Sequence, residues 1–514
     1  MGRCSFKVGA MDRRSILLAG IGTLLASSAH ADVVNSSGDF RSLAIALANA
    51  DRRERAIQIA AFDKGTLSDE DRILYEAVAQ GSWADGLIAS SPWGRNGTPY
   101  VVTHRYGAYR SANPDAAAID RETEELAAGA QAGAVAPVFV LDAAINAVDA
   151  ASSRAHGSVA ESMTRQISAL RKVRDRSLEW ITSGIRSADQ GGLWTLPGGE
   201  DYYALSLQFQ LGEEISPRAA HHRALTYCRS LQREVDALLR RQGLTRGGVG
   251  ERLRTFALDE RRLYSNDAAG KGQAVAEMNA ALDRVRPLLR NVVAGADTQA
   301  DVRLVPPEAE AGGAAGRREG TVYHVDFGAI RSRPRWTLPS VAFHELVPGH
   351  ILQASSEREA PAPALQTRYA SGYNEGWAIY AERLADEAGV YADDPASRIG
   401  YLQWMLFRFG RVVADTGIHV MRWSRERAIR ELRELQGDGM AFVSIQEDVL
   451  RMCAQPGVAA AQGLTAMRIA EIRGRMRRGA NGRFDARAFH AAMLLRGPLS
   501  PPGLAQAARV AFSL

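Results

Sequence analysis

Cysteine is scarce: the 514 residues include three, Cys4, Cys228 and Cys453. No paired spacing links them, which excludes a disulfide framework and a zinc-finger module. Cys4 lies in a segment expected to be removed. Cys228 and Cys453 are therefore read as two separately buried thiols, although an oxidising compartment would let a disulfide persist. There is no phosphate loop and no repeat at a fixed period. Net charge is small as well, at +5. Arg3, Lys7, Arg13 and Arg14 against Asp12 place about +3 of it in the first 31 residues, and the remaining arginines alternate with Asp and Glu along helical stretches. That pattern is a solvated face, so a nucleic-acid partner is not expected. The apolar run Ser15–Ala26 is too short for a bilayer, which takes roughly 20 residues.

That short run does have a use. Arg13-Arg14 precedes it and Ala29-His30-Ala31 follows, giving the charged, apolar and small-x-small parts of a signal peptide. Residues 1–31 are expected to direct export to the periplasm or beyond, by the twin-arginine or the general secretory route, with Met11 an alternative start. With 46% hydrophobic residues the remainder can bury a large core. Its apolar residues recur at helical spacing, as in Glu161–Ile185 and His221–Leu244. Leu196-Pro-Gly-Gly199, Ser216-Pro217 and Gly247-Gly248 punctuate the helices, and Ser216-Pro217 is a helix start with Pro in the first position. The Ala-, Gly- and Glu-rich stretch 306–320 reads as a flexible loop between an N-terminal helical region, 32–305, and a catalytic helical region, 321–514. Thr321–Asp326, β-branched and aromatic, is the best strand candidate.

The chemistry concentrates in Val341-Ala-Phe-His-Glu-Leu-Val-Pro-Gly-His350. A zincin helix carries its two histidines four residues apart, with a Glu between them to take a proton from water. Here His344 and His350 are six apart, about 240° around an α-helix, so the helix must break to aim both at one point. Pro348 lacks the N–H that would bond the His344 carbonyl, and Gly349 can take unusual dihedrals. Glu375, in Tyr373-Asn-Glu-Gly-Trp-Ala-Ile-Tyr-Ala-Glu382, is the expected third metal ligand. Two imidazoles and one carboxylate leave an open position on zinc, the catalytic arrangement, although such a set suits other divalent ions too. Glu345 is the candidate general base. Glu382, seven residues after Glu375 and on the same face, is either an alternative ligand or, the favoured role, a carboxylate that orients a histidine from behind.

Arg411, Asp415 and His419 recur every four residues and share one face of a regular helix. They suggest Arg411 for a substrate carboxylate, His419 for a tetrahedral oxyanion and Asp415 for holding its imidazole. Tyr323 and His324, on the candidate strand, and Tyr373 and Tyr380, beside Glu375, are expected to bind substrate. An exposed strand edge beside a cleft can also pair with an extended peptide.

At these residues the chain resembles the bacterial family catalogued as domain of unknown function 885, with its His-Glu-x-x-Pro-Gly-His and Glu-Gly-Trp-Ala-x-Tyr-x-Glu motifs. The resemblance continues through Leu196-Pro-Gly-Gly-Glu-Asp-Tyr-Tyr203, Pro334-Arg-Trp-Thr-Leu-Pro339, Asp415-Thr-Gly-Ile-His419, Trp423-Ser-Arg-Glu-Arg-Ala428 and Arg483-Phe-Asp-Ala-Arg-Ala-Phe-His490. It implies a mainly α, two-lobed helical zincin-like peptidase fold, similar to the thimet oligopeptidase and angiotensin-converting-enzyme group, with a small β element at the active-site cleft. Three positions depart from the family pattern. Ile351 replaces a common histidine, while Val458 and Gln462 alter the later Pro-Gly-Gln-x-x-x-Tyr motif, Gln462 putting an amide where the family has Tyr. The expected function is an exported, zinc-dependent hydrolase of short peptides. A non-catalytic peptide- or metal-binding protein and a hydrolase of non-peptide amides are the alternatives.

Overall fold

Helices dominate because their ends are written into the chain. Ser216 caps Pro217–Arg241 (α1), its Oγ accepting from the Ala219 N–H, with Pro217 in the first turn. Asp394 caps Pro395–His419 in the same way, and Ser444 with Glu447 forms a reciprocal capping box on Ile445–Ala454. The computed structural model describes residues 40–513 except 92, 94–96, 311–315, 360–361, 439–443 and 481. The expected signal peptide at 1–31 thus lies outside the described residues. Residues from Phe40 onward form one unit.

The helices that build the centre of interest are α1, α2 (Leu338–Glu345), α3 (His350–Glu359), α4 (Tyr373–Glu387), α5 (Pro395–His419), α6 (Ile445–Ala454), α7 (Val458–Gly479) and α8 (Ala486–Leu494). N-terminal to them run Asp69–Ala89, Ala116–Gln131, Val138–Ser152 and Gly157–Thr182, the last two packed side by side. α5 is the axis of the core: from Ile399 to His419 every residue but Arg408 is fully buried. It packs against α1, α7 and Arg425–Gln436, so it reads as apolar nearly all round rather than as a striped surface helix. Among the described residues no helix is long and apolar enough to cross a membrane.

A three-stranded sheet is the β element. β1 (Asp301–Leu304), β2 (Arg317–Glu319) and β3 (Val322–Val325) lie in the order β1-β3-β2, with β1 parallel and β2 antiparallel to β3. The expected strand is found, but it is the central one, so its edges are taken and β2 presents the outer edge. The stretch 306–320 is not a structureless linker. It contains a 3-10 turn at Pro307–Ala309 and all of β2, which folds back on β3 through Gly320, at φ 59°, and Thr321. The pairing of β1 with β3 also crosses the boundary expected there. Cys228 and Cys453 are both buried and unpaired, and burial pushes each thiol up to about 12.

The position of α2 depends on how closely α5 approaches the 3-10 turn Arg335–Thr337 before it. Trp404 Nε1 on α5 donates to the Thr337 carbonyl at 3.0 Å. A Cβ on Gly400 would stand 2.0 Å from the Trp336 carbonyl oxygen. Gly400→Ala is therefore expected to destabilise the protein by about 1–3 kcal/mol, despite the roughly 1 kcal/mol that Ala gains in helix propensity. Chemical denaturation reads the difference, and an unchanged midpoint would mean that the two segments have slack.

Candidate metal centre

α2 ends at Glu345, where Leu346 turns the backbone to φ −114° and ψ −100°. Val347–Pro348 is cis, and α3 begins at His350. The break expected from Pro348 is thus present. Gly349 is required for a different reason than its dihedrals, because its φ is not positive. A Cβ there would stand 1.9 Å from the His344 carbonyl oxygen. α4 holds the turn, Trp377 Nε1 donating to the Pro348 carbonyl at 3.0 Å. The imidazoles of His344 and His350 meet edge to face, ring centroids 4.9 Å apart.

Glu375, in the first turn of α4, lies between them. Its Oε2 is 3.5 Å from His344 Nε2 and its Oε1 3.6 Å from His350 Nε2. Ligand atoms of the three residues lie within 4.8 Å of one another, the one such group of His, Cys, Asp or Glu among the described residues. Ligand atoms on a tetrahedral zinc, with bonds of about 2.0–2.1 Å, stand about 3.4 Å apart, so this spacing fits a shared ion. His350 Nε2 is buried without a hydrogen-bond partner, the orphan that an ion would satisfy.

Behind the group, Glu382 is fully buried and receives His344 Nδ1–H at 2.8 Å and Ser340 Oγ–H at 2.5 Å. A carboxylate only accepts, so Nδ1 carries the hydrogen and Nε2 faces Glu375. This is the orienting position expected of Glu382. Arg408 Nε lies 3.7 Å from the same carboxylate. Burial lowers the His344 pKa and so does Arg408, but Glu375 and Glu382 overrule both and raise it to about 9. Burial holds His350 down, so that it is neutral. Burial would raise Glu375, yet the two imidazoles hold it well below the usual carboxylate range.

Glu345 is where a general base belongs, one residue past His344, with its side chain 18% exposed. Its carboxylate pairs with Arg318 on β2, a residue that spacing along the chain could not reveal. Arg318 is opposite Tyr323 in the β2–β3 register, so both point to the Glu345 face of the sheet. Tyr323 is buried there, its ring against Gly316.

Several other expectations are overturned. His324 points to the opposite face from Tyr323, its Nε2 3.6 Å from Glu319, and cannot reach Glu345 from there. Tyr373 and Tyr380 are fully buried on the back of α4. Tyr373 O–H donates to the Met493 carbonyl at 2.6 Å, and Tyr380 O–H to His490 Nε2 at 2.9 Å. Neither is available to a substrate.

α5 is regular as far as His419, but the face that holds His419 is interior. His419 Nδ1 accepts from Leu193 N–H and Nε2–H donates to the Met452 carbonyl, both at 3.1 Å, while Tyr203 stacks on the ring at 4.7 Å. Burial lowers its pKa to about 4, so it is a neutral structural imidazole with no donor left for an oxyanion. Asp415 Oδ1 lies 3.8 Å from Nε2, whose hydrogen goes to Met452 instead. Its carboxylate accepts from Gly457 N–H, Ala460 N–H and Tyr203 O–H, all at 3.1 Å, and so caps α7. Arg411 pairs with Asp448 at 3.1 Å and reaches Gln462 Oε1 at 3.5 Å. Ile351 is buried and Val458 opens α7.

Two outcomes follow from this geometry. Glu382→Ala leaves a buried Nδ1–H without an acceptor, and zinc affinity is expected to fall about 10- to 100-fold; competition with a chelator reads it, and an unchanged affinity would reduce Glu382 to a packing role. At pH 7 His344, raised to about 9, is protonated in the metal-free protein, whereas His350 is not. An ion at His344 Nε2 must displace that proton, so binding should release about one proton per chain and strengthen as pH rises towards 9, levelling off above it. Calorimetry in buffers of differing protonation enthalpy counts the proton, and no release would show His344 to be neutral.

Comparisons with known proteins give the family and the fold. No curated protein matches the chain. A candidate lipoprotein from Colwellia psychrerythraea has a similar structure, with a TM-score of 0.70 at 22% identity over 92% of this chain and 91% of that one. A candidate lipoprotein of unknown function from Shewanella oneidensis gives a TM-score of 0.64 at 15% identity over 97% and 99% of the two chains. These likenesses establish a shared fold. The family of bacterial proteins of unknown function DUF885 matches residues 35–507, and the chain belongs to it.

Proposed function

We propose that the protein is an exported metal-dependent hydrolase of short peptides, with a two-lobed helical zincin-like architecture. The observation that carries the reading is the convergence of His344, His350 and Glu375 on one point, with Glu345 beside them and Glu382 fixing the His344 tautomer. These residues would hold one zinc ion, which when bound supplies a Lewis acid that polarises a carbonyl and makes water acidic at neutral pH.

The chain's own groups divide the remaining work. Glu345 accepts the proton of the attacking water and returns it to the leaving amine. Arg318 takes the part first assigned to His419: a guanidinium adjoining Glu345 can donate to the carbonyl oxygen as it gains negative charge. For that it must exchange its bond to Glu345 for one to substrate, and its 43% side-chain exposure leaves room to do so. The outer edge of β2, ending beside the centre, is a place where an extended peptide can add as a strand. Export is supported by the signal-like residues 1–31 and by the similarity to candidate lipoproteins.

Glu345→Gln is the test. Zinc content should remain at about one ion per chain while cleavage of a mixed-length peptide library falls at least about 10²-fold. Zinc without cleavage in the wild type would favour a binding protein or a hydrolase of non-peptide amides, and loss of zinc in both proteins would remove the proposed centre.

A further inference from the structure

Beyond the ligand group, a set of cations has too few counter-charges. Arg411 on α5 is buried, and its Nε and Nη2 have no hydrogen-bond acceptor; Asp448, 3.1 Å from Nε, is off the line of the N–H. Arg451, in the last turn of α6, spends Nε on Gln455 Oε1 at 3.2 Å. It follows Asp448 by three residues on the same face of α6, and burial with the charges of Arg411 and Arg105 lowers its pKa to about 10, against Asp448 and Glu375. Arg105 is exposed in the loop before Ala108–Arg110, next to His104, whose Nδ1 is buried without a partner. Burial, Arg105, Arg110 and Arg451 together push His104 down to about 4, so it is neutral.

Nearby anions are committed. Glu447 closes the capping box with Ser444, and Glu375 serves the two histidines. Asp448 is left as the carboxylate for Arg411 and Arg451, its Oδ2 3.1 Å from Arg411 Nε and its Oδ1 buried without a donor. Buried guanidinium donors without acceptors are costly, and a carboxylate that accepts two parallel N–H bonds relieves them best. α7 keeps the cluster close to the centre, because Gln462, which Arg411 reaches, packs its backbone against Gly376, the neighbour of Glu375.

We propose that Arg411, Arg451 and Arg105 receive a free carboxylate of the substrate close to the scissile amide, which makes the substrates short peptide acids. The second half of that statement rests on the hydrolase reading above; the carboxylate site does not. The carboxylate is either the C-terminal one or an Asp or Glu side chain, and a peptide with long neutral flanks is excluded.

The test uses the zinc-loaded Glu345→Gln protein, which binds without turnover. A tripeptide acid, its C-terminal amide, and forms of each with Glu replaced by Gln are titrated calorimetrically. One neutralisation should weaken binding about 10- to 100-fold, the worth of one or two charge-assisted hydrogen bonds, and which one does so names the source of the carboxylate. Adding Arg451→Gln or Arg105→Gln, neither fully buried, should erase the discrimination. Equal binding of all forms, or discrimination that survives both changes, overturns the proposal. Acid-selective binding with no cleavage by the wild type would uphold the site and remove the peptidase reading, whereas cleavage without acid selectivity would do the reverse.

Discussion

The change of direction between Glu345 and His350 is the constraint from which the rest of the centre follows. An unbroken helix would send the two imidazoles roughly 240° apart. The turn at Leu346, the proline that cannot continue the hydrogen-bond ladder and a glycine pressed against the His344 carbonyl replace that geometry with a corner. Once the corner exists, α4 can serve both sides of it. Glu375 reaches the front of the histidines, Glu382 the back of His344, and Trp377 bonds the corner itself. One helix thus supplies a ligand, an orienting carboxylate and a clamp at spacings of two, five and seven residues.

Electrostatics explains why these acids tolerate burial. Glu382 is completely removed from water, and its oxygens meet the His344 imidazole, a hydroxyl donor and a guanidinium 3.7 Å away. Glu375 depends on two imidazoles in the same way. The cations nearby, Arg318, Arg408 and Arg451, come from three unrelated elements: an edge strand, the central helix and the end of α6. The group of His344, His350 and Glu375 therefore sits in a polar, preorganised surround whose charges are already in place.

α5 shows the opposite use of polar residues. Asp415 and His419 share a face as their spacing requires, but at their end of the helix that face is packed against α6, α7 and the Leu193–Thr195 turn. Buried there, Asp415 and His419 act as acceptors and donors for backbone groups that would otherwise go unpaired at the start of α7 and at the end of α6. The family motifs around Tyr203 and His419 are on this reading parts of one internal hydrogen-bond network that joins helices far apart in sequence.

Local rules made much of the protein legible. Periodicity and caps announced the helices, with Pro217–Arg241 beginning at Ser216-Pro217 as expected. The spacing of His344, Pro348, His350, Glu375 and Glu382 was enough to bring these side chains together, because each inference needed only helical geometry within one or two segments. Which face of α5 meets solvent, which edge of the sheet is covered, and where Tyr373 and Tyr380 point depend on contacts between residues up to 226 positions apart, as for Leu193 and His419. The same is true of Arg318 at Glu345 and of the arginines gathered near Glu375. The amino-acid sequence by itself determined the helices and the grouping of His344, His350 and Glu375, through short-range periodicity. Only the tertiary structure decided which polar side chains face the centre and which are spent on holding the fold, because burial is set by packing between elements and not by spacing within them.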